Sequence, residues 1–286
     1  MSQRRIGLLL VLPAVAVFLL LFIAPLIYGA WLSLHEARFG RILPGLTLRQ
    51  YEVLFTNPTY TDALARTFRL SGTATVLALL LGYPLAYALA FKLKRMGGII
   101  TIIILAPLLM NVVVRTLGWV IILGRSGLIN NVSVNLGFGE FILLYTETAV
   151  LIGYVQVFLP FMVLSILASL QTMDLNLIKA SSSLGATPAT TFWKVLFPLS
   201  LPGVLSGSII VFSLSSGVFV LPAMLGGTNL RVLSLLAYQQ TTTTLNFPLG
   251  AAAAFLLLTI VLLVVLITTF LVERTRFREV FRRASA

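Results

Sequence analysis

The sequence predicts an all-α membrane protein of about six transmembrane helices, N-in and C-in. Three observations carry this prediction. The 286 residues are 59% hydrophobic and only 10% charged, whereas soluble domains run to about 25% charged. Too little polar side chain exists to cover a water-facing surface. The apolar residues also fall into six runs near the ~20 residues that a bilayer requires, at 6–34, 68–91, 99–123, 148–170, 199–222 and 249–272. Finally, the basic residues behind the net charge of +12 gather at the ends of those runs. That is the pattern of topology signals and lipid anchors rather than of a nucleic-acid surface.

The first run opens on Arg4 and Arg5, like a signal peptide, but continues from Ile6 to Leu34. A signal-peptide core has at most ~15 residues, so a retained helix is expected. Pro13 and Pro25 do not exclude it, because neighbours in a membrane can satisfy freed backbone groups. A polar loop at 35–67 follows, then the second run, a turn at 92–98 with Lys92, Lys94 and Arg95, and the third run. A loop at 124–147 leads to the fourth run. The fifth and sixth are separated by a loop at 223–248, and the tail after Val272 is basic. The chain divides into 1–64 (first helix and outer loop), 65–272 (a core of five helices) and 273–286 (the tail).

Orientation follows from the basic residues beside span ends. With the N-terminus inside, the inner side holds Arg4, Arg5, Lys92, Lys94, Arg95, Lys179, Lys194, Arg274, Arg276, Arg278, Arg282 and Arg283. The outer side holds Arg38, Arg41, Arg49, Arg66, Arg69, Arg115, Arg125 and Arg231, offset by Glu36, Glu52, Asp62, Glu140 and Glu147. The tail and the 92–95 cluster decide for both termini inside.

Between the fourth and fifth runs lies "QTMDLNLIKASSSLGATPATTFWKVLFPLSLPG", residues 171–203. Asp174 can cap a helix, with Leu175, Ile178 and Leu184 on one face. Gly185 is placed for a left-handed stop. Thr187 and Pro188 supply a second cap and first helical position. The second short helix is expected to end before Pro198, with Pro202 opening the next span. Ala180, Ser181, Ser182 and Ser183 permit close backbone approach by a partner, although the pattern alone equally fits an interfacial amphipathic helix.

The spacing from Lys179 to Gly203 resembles the EAA loop of permease subunits of bacterial ATP-binding-cassette importers, with Ala180, Leu184, Gly185, Ala186, Phe192, Val195, Pro198, Pro202 and Gly203 in register. Further blocks resemble the spermidine/putrescine-type branch of these binding-protein-dependent transport inner-membrane components: "GYPLAYALA" (82–90), "APLLMNVVVRTLGW" (106–119), "FLPFMVLSILASLQTMD" (158–174), "GVFVLPAMLGG" (217–227) and "NFPLGAAAA" (246–254). The resemblance spans about residues 65–272. It implies the type I importer permease fold in a bacterial inner membrane. It also implies a coupling loop at about 171–198 that docks into a separate ATPase subunit through Asp174, Lys179, Ala180, Ser183, Leu184, Gly185, Ala186 and Thr187. ATP and Mg would belong to that partner. A second permease subunit and a periplasmic solute-binding protein complete the implied assembly. The family's leading glutamate is Lys179 here, from which a heteromeric permease pair is expected, the second subunit keeping the acid.

Within the spans, Arg115 reads either as a snorkelling or structurally paired arginine or as a gate residue. Pro84 and Pro160 read as fixed kinks or as hinges. Gln156 is a polar group placed to line a pathway, and Val218 stands where polyamine permeases often carry an acid. Gly203, Gly207 and Gly217 fit close helix packing. His35, at the outer end of the first run, is expected at the interface rather than as a ligand. There are no cysteines, which excludes thiolate metal sites and disulfides, and no metal site or cofactor is expected on this chain.

Catalytic equipment is absent as well. No Gly-x-x-x-x-Gly-Lys-Ser/Thr occurs, so ATP hydrolysis would lie elsewhere. An ion-coupled secondary transporter is the rival reading, but such proteins place ionisable relays inside the membrane. All eight carboxylates fall outside the six runs or at their ends. The resemblance implies a non-enzymatic permease for a small amine-containing solute (polyamine, amino-acid or opine-like), working by alternating access, and the placement of the carboxylates argues against the rival.

Overall fold

The computed structural model describes residues 12–13, 15–38, 41–93, 96–228 and 230–274. Arg4, Arg5, Lys94, Arg95 and the tail from 275 onward lie outside the described residues, as do the side chains of Arg38, Leu175 and residues 271–274. In chain order, α1 (Val15–Ser33) is followed by a hairpin of β1 (Ala37–Arg38) and β2 (Arg41–Ile42), then by α2 (Arg49–Thr56). The long α3 (Pro58–Lys92) leads to a short apolar α4 (Gly97–Leu109), to α5 (Val112–Leu123) and to α6 (Leu128–Asn135). After α7 (Glu147–Gln171) come α8 (Leu175–Ser183), α9 (Pro188–Gly217), α10 (Val220–Leu225), α11 (Leu233–Thr242) and α12 (Phe247–Arg274).

Among the described residues six stretches are long and apolar enough to cross a membrane: Val15–Ser33, Pro58–Lys92, Val112–Asn135, Glu147–Gln171, Pro188–Gly217 and Phe247–Phe270. At their centre α3, α7 and α9 pack on one another. Small residues make this possible. Ala74, Ala78 and Ala86 of α3 are fully buried against Tyr154, Met162, Val163 and Ile166 of α7 and Val211 of α9. A Cβ on Gly203 would sit 2.5 Å from the Ser165 carbonyl oxygen, and one on Gly207 would sit 2.8 Å from the Met162 sulfur. Close backbone approach of this kind is what drives helix association where lipid removes the hydrophobic incentive. Gly217 meets nothing within 4 Å and ends α9 instead. Inside the contact, Tyr83 and Ser200 share a buried hydroxyl–hydroxyl hydrogen bond of 2.8 Å.

A second cluster joins α2, the first turns of α3, α11 and α12 through Leu54, Tyr60, Ala63, Leu233, Leu236, Leu249 and Ala252. The Thr67 hydroxyl accepts the Leu233 N–H at 2.9 Å, and Gln240 donates to the Tyr60 hydroxyl at 2.9 Å. By contrast α1 packs against α12 and leaves Leu20 and Leu21 largely exposed. Exposed leucines and isoleucines continue along α4 and α12. In a bilayer this is surface for lipid tails.

Several expected boundaries differ. The second span begins at Pro58 rather than 68, because Asn57 caps it by accepting the Thr59 N–H at 2.9 Å and Pro58 takes the first helical position. Its polar first turns are stabilised by the second cluster rather than by lipid. The loops at 35–67 and 223–248 contain α2 and α11, each with a buried apolar side. The third run, expected to be one helix over 99–123, is broken. Pro107 lies in a 3₁₀ turn, Met110 is extended, and Asn111 starts α5 by accepting the Val113 N–H at 2.8 Å.

The fifth span was expected to open at Pro202 after a separate helix ended before Pro198. Instead one helix runs from Pro188 to Gly217. A π turn over Phe192–Leu196, closed by the Phe197 N–H on the Phe192 carbonyl, widens the helix just before Pro198. A locally widened ladder absorbs the missing donor and the ring's clash. The same device precedes Pro25, with a π turn over Leu19–Ile23. The span also ends at Gly217 rather than 222, where Val218 turns extended.

Candidate functional site

The segment between α7 and α9 assembles as two short helical arms around a left-handed stop. Asp174 caps α8 by accepting the Asn176 N–H at 2.9 Å. At its other end, the Ala186 N–H reaches the Ser181 carbonyl at 3.1 Å and the Gly185 N–H reaches the Ser182 carbonyl at 3.0 Å. Gly185 has φ +78°. This pair of bonds around a positive-φ residue is the Schellman arrangement, and it satisfies carbonyls that a helix end would otherwise waste. One residue further on, Thr187 accepts the Thr190 N–H at 3.2 Å and Pro188 begins α9. The Ser181 and Thr191 hydroxyls then join the two arms at 2.6 Å. That clasp was not anticipated from sequence; a serine and a threonine ten residues apart give no periodic signal.

All eight coupling residues named from sequence lie together on this knob. Lys179, Ala180, Ser183, Gly185 and Thr187 are exposed, and Ala186 is half-buried. Leu184 is 88% exposed and Trp193 is 64% exposed. Lys179 and Lys194 make no ion pair among the described residues. The surface is therefore apolar at its tip and basic at its flank, with Asp174 engaged in capping. Between the inner ends of α3 and α7 and the start of α4 there is also a cavity of about 660 Å³, with Leu89, Gly98, Leu170 and Gln171 in its wall.

The four pathway candidates are less unified. Arg115 lies in the first turn of α5, after the break, and donates to the Pro107 carbonyl at 2.6 Å. Its guanidinium thus bridges the two sides of the interruption. Gln156 accepts the Trp119 indole N–H at 3.3 Å, tying α7 to α5. Pro160 is buried inside an unbroken α7. Val218 occupies the extended link between α9 and α10, and its carbonyl accepts the Ser234 hydroxyl at 3.1 Å. Among the described residues these four bond to separate partners and not to one another. His35 is buried, with Nδ1 2.8 Å from the Trp31 carbonyl and its ring against Trp31.

The outer end carries an ion cluster that sequence reading missed. Glu147, the first residue of α7, lies 3.2 Å from Arg66 Nε and 2.5 Å from Arg69. Two arginines three residues apart on α3, facing a carboxylate at a helix N-terminus, were a legible signal. The partnership between α3 and α7 was not.

Residues 2–277 match the family described as binding-protein-dependent transport system inner membrane component. The chain is 30% identical over 209 residues to the spermidine/putrescine transport system permease protein PotB of Haemophilus influenzae, covering 72% of this chain and 73% of the relative. It is 32% identical over 197 residues to the molybdenum transport system permease protein ModB of Mycobacterium bovis, covering 68% and 74%. Its fold is similar to a chain of a bacterial alginate ABC transporter solved with an alginate pentasaccharide-bound periplasmic protein. There the TM-score is 0.77 at 18% identity, over 95% of each chain. A chain of the MetNI methionine ABC transporter gives 0.53 at 21% identity, over 75% of this chain and 93% of that one.

Proposed function

The chain belongs to the family of binding-protein-dependent transport system inner membrane components, and from that premise we propose how it couples and what it carries. It is a multi-pass membrane permease subunit of an importer. In our reading the knob at 171–198 seats in a cleft of a separate ATPase subunit, which binds ATP and Mg, and a periplasmic binding protein delivers solute at the opposite end. Closure of the ATPase pair would swing the knob, and α9, continuous from the knob through the membrane, would carry that motion to the pathway. The solute class is small and amine-containing: a polyamine, amino acid or opine-like compound.

One observation supports this coupling most. A leucine 88% exposed at the tip of a well-capped turn has no stabilising role within the chain, while the turn beneath it is held by three capping bonds and the Ser181–Thr191 clasp. A rigid mount under an apolar tip is what a docking element requires. Lys179 on its flank supports a heteromeric permease pair, since two such subunits would bring two lysines to clefts that usually meet glutamate.

Reconstituted complex carrying Lys179→Glu or Lys179→Ala tests both points. If Lys179 touches the ATPase, the charge reversal changes substrate-stimulated hydrolysis more than truncation does. Equal, near-wild-type activity for both variants assigns Lys179 to solvent. A functional complex containing only this permease removes the heteromer.

A further inference from the structure

The outer end of the molecule holds a cavity for which the coupling scheme has no use. It is an open groove of about 460 Å³ between the residues preceding α7, the end of α10 and the start of α11, with the exposed Tyr145, Thr228, Arg231 and Gln239 supplying its polar groups. A space of several hundred Å³ suits a small solute.

Its electrostatics are one-sided. Three arginines converge on this corner, and Glu147 is the carboxylate among them. Glu147 is engaged by Arg66 at 3.2 Å and Arg69 at 2.5 Å. Arg66 also reaches the Arg231 carbonyl at 3.5 Å, which places Arg231 beside the cluster. Among the described residues no carboxylate lies within ion-pair distance of the Arg231 guanidinium. Along the rest of the described chain every carboxylate sits in a loop or within two turns of a helix end. A bare polycation would meet positive charge at this groove.

The wall is also strained. Tyr145 holds φ +67°, and it faces Gly227, also at φ +67°. A Cβ on Gly227 would lie 3.0 Å from the Tyr145 Cβ, so the turn and the ring fit closely, with the Tyr145 N–H fixed on the Leu225 carbonyl at 2.9 Å. Non-glycine residues kept in this region of backbone space collect at ligand sites.

We propose that this cavity recognises an acidic group, a carboxylate or a phosphonate, on the transported solute. The Arg231 fork takes the acid's oxygens, as guanidinium geometry favours, with Thr228 and Gln239 beside it. The proposal rests on the importer reading and deepens it: the cargo bears an acid beside its amine.

The cysteine-free chain permits a direct test in membranes containing the full transporter. A cysteine at Thr228 is labelled with anionic sulfonatoethyl and with cationic trimethylammonioethyl methanethiosulfonate, each rate normalised to a cysteine at Leu46 in the outer loop. The anionic reagent should be favoured by about tenfold, the range of focusing by a charged cleft. Arg231→Gln should erase that preference and Arg231→Lys should keep it. Millimolar 2-aminoethylphosphonate or glutamate should slow labelling, and putrescine should not. No anionic preference, a preference unchanged in Arg231→Gln, or protection by putrescine alone overturns the proposal. Stimulation of the ATPase by the binding protein in the same membranes reports the importer reading separately, so that reading can stand while this site falls.

Discussion

Gly185 turns the knob between α8 and α9 with φ +78° and nothing within 4 Å of where a Cβ would stand. The chain itself therefore penalises a side chain only through backbone conformation, at about 1–2 kcal/mol for most residues and less for asparagine, which visits this region readily. Gly185→Val should abolish uptake while the subunit reaches the membrane at normal levels, and Gly185→Asn should retain most transport. Loss in both variants, measured as solute uptake against immunoblotted membrane protein, would instead indicate a cleft too tight for any side chain. Ion pairs at the outer end differ in weight for a similar local reason. Glu147 serves two arginines and is partly shielded, whereas the Arg125–Glu140 pair is 74% and 54% exposed. Exposed pairs contribute about 0–1 kcal/mol. Glu147→Gln should lower the melting temperature in detergent, and Glu140→Gln should leave it unchanged.

Among the helices, α7 and α9 depend on glycine at their crossing and not at the end of α9. A methyl on Gly203 would lie 2.5 Å from the Ser165 carbonyl oxygen and 2.6 Å from the Ser169 Cβ. Neither neighbour can yield without moving α7, and overpacking of this kind costs about 1–3 kcal/mol. Gly203→Ala should reduce the yield of monodisperse permease on size exclusion. Gly217→Ala, with open space around it, should match wild type or exceed it slightly, since alanine favours helix by about 1 kcal/mol. Equal behaviour of the two would contradict the close approach. This contrast was only half legible: the spacing of Gly203, Gly207 and Gly217 marked a packing stripe, but which glycine meets a neighbour depends on where α7 lies.

At the scale of the whole molecule, the charge distribution puts the knob and the acid-binding cavity on opposite sides of the membrane. Single cysteines report this directly. One at Ser183 should react with impermeant maleimide only in inverted vesicles, and one at Thr47 only in intact cells. Labelling of Ser183 from outside would reverse the orientation and detach the knob from any cytoplasmic ATPase. The interior cores are likewise two: one lies in the contact of α3, α7 and α9, and the other in the cluster of α2, the first turns of α3, α11 and α12.

The sequence by itself determined the solvent, the number of spans, the charge asymmetry and the caps at Asp174, Gly185 and Thr187. Each is local or compositional: hydropathy counts residues, and a cap is decided within four positions. Only the tertiary structure decided that α9 runs unbroken through Pro198 and Pro202, that 99–123 breaks at Met110, and that Glu147 joins Arg66 and Arg69. A proline shows where a hydrogen bond is missing but not whether a π turn or a packed neighbour will make up for it. An ion pair spanning some eighty residues forms only because small side chains let α3 and α7 lie together.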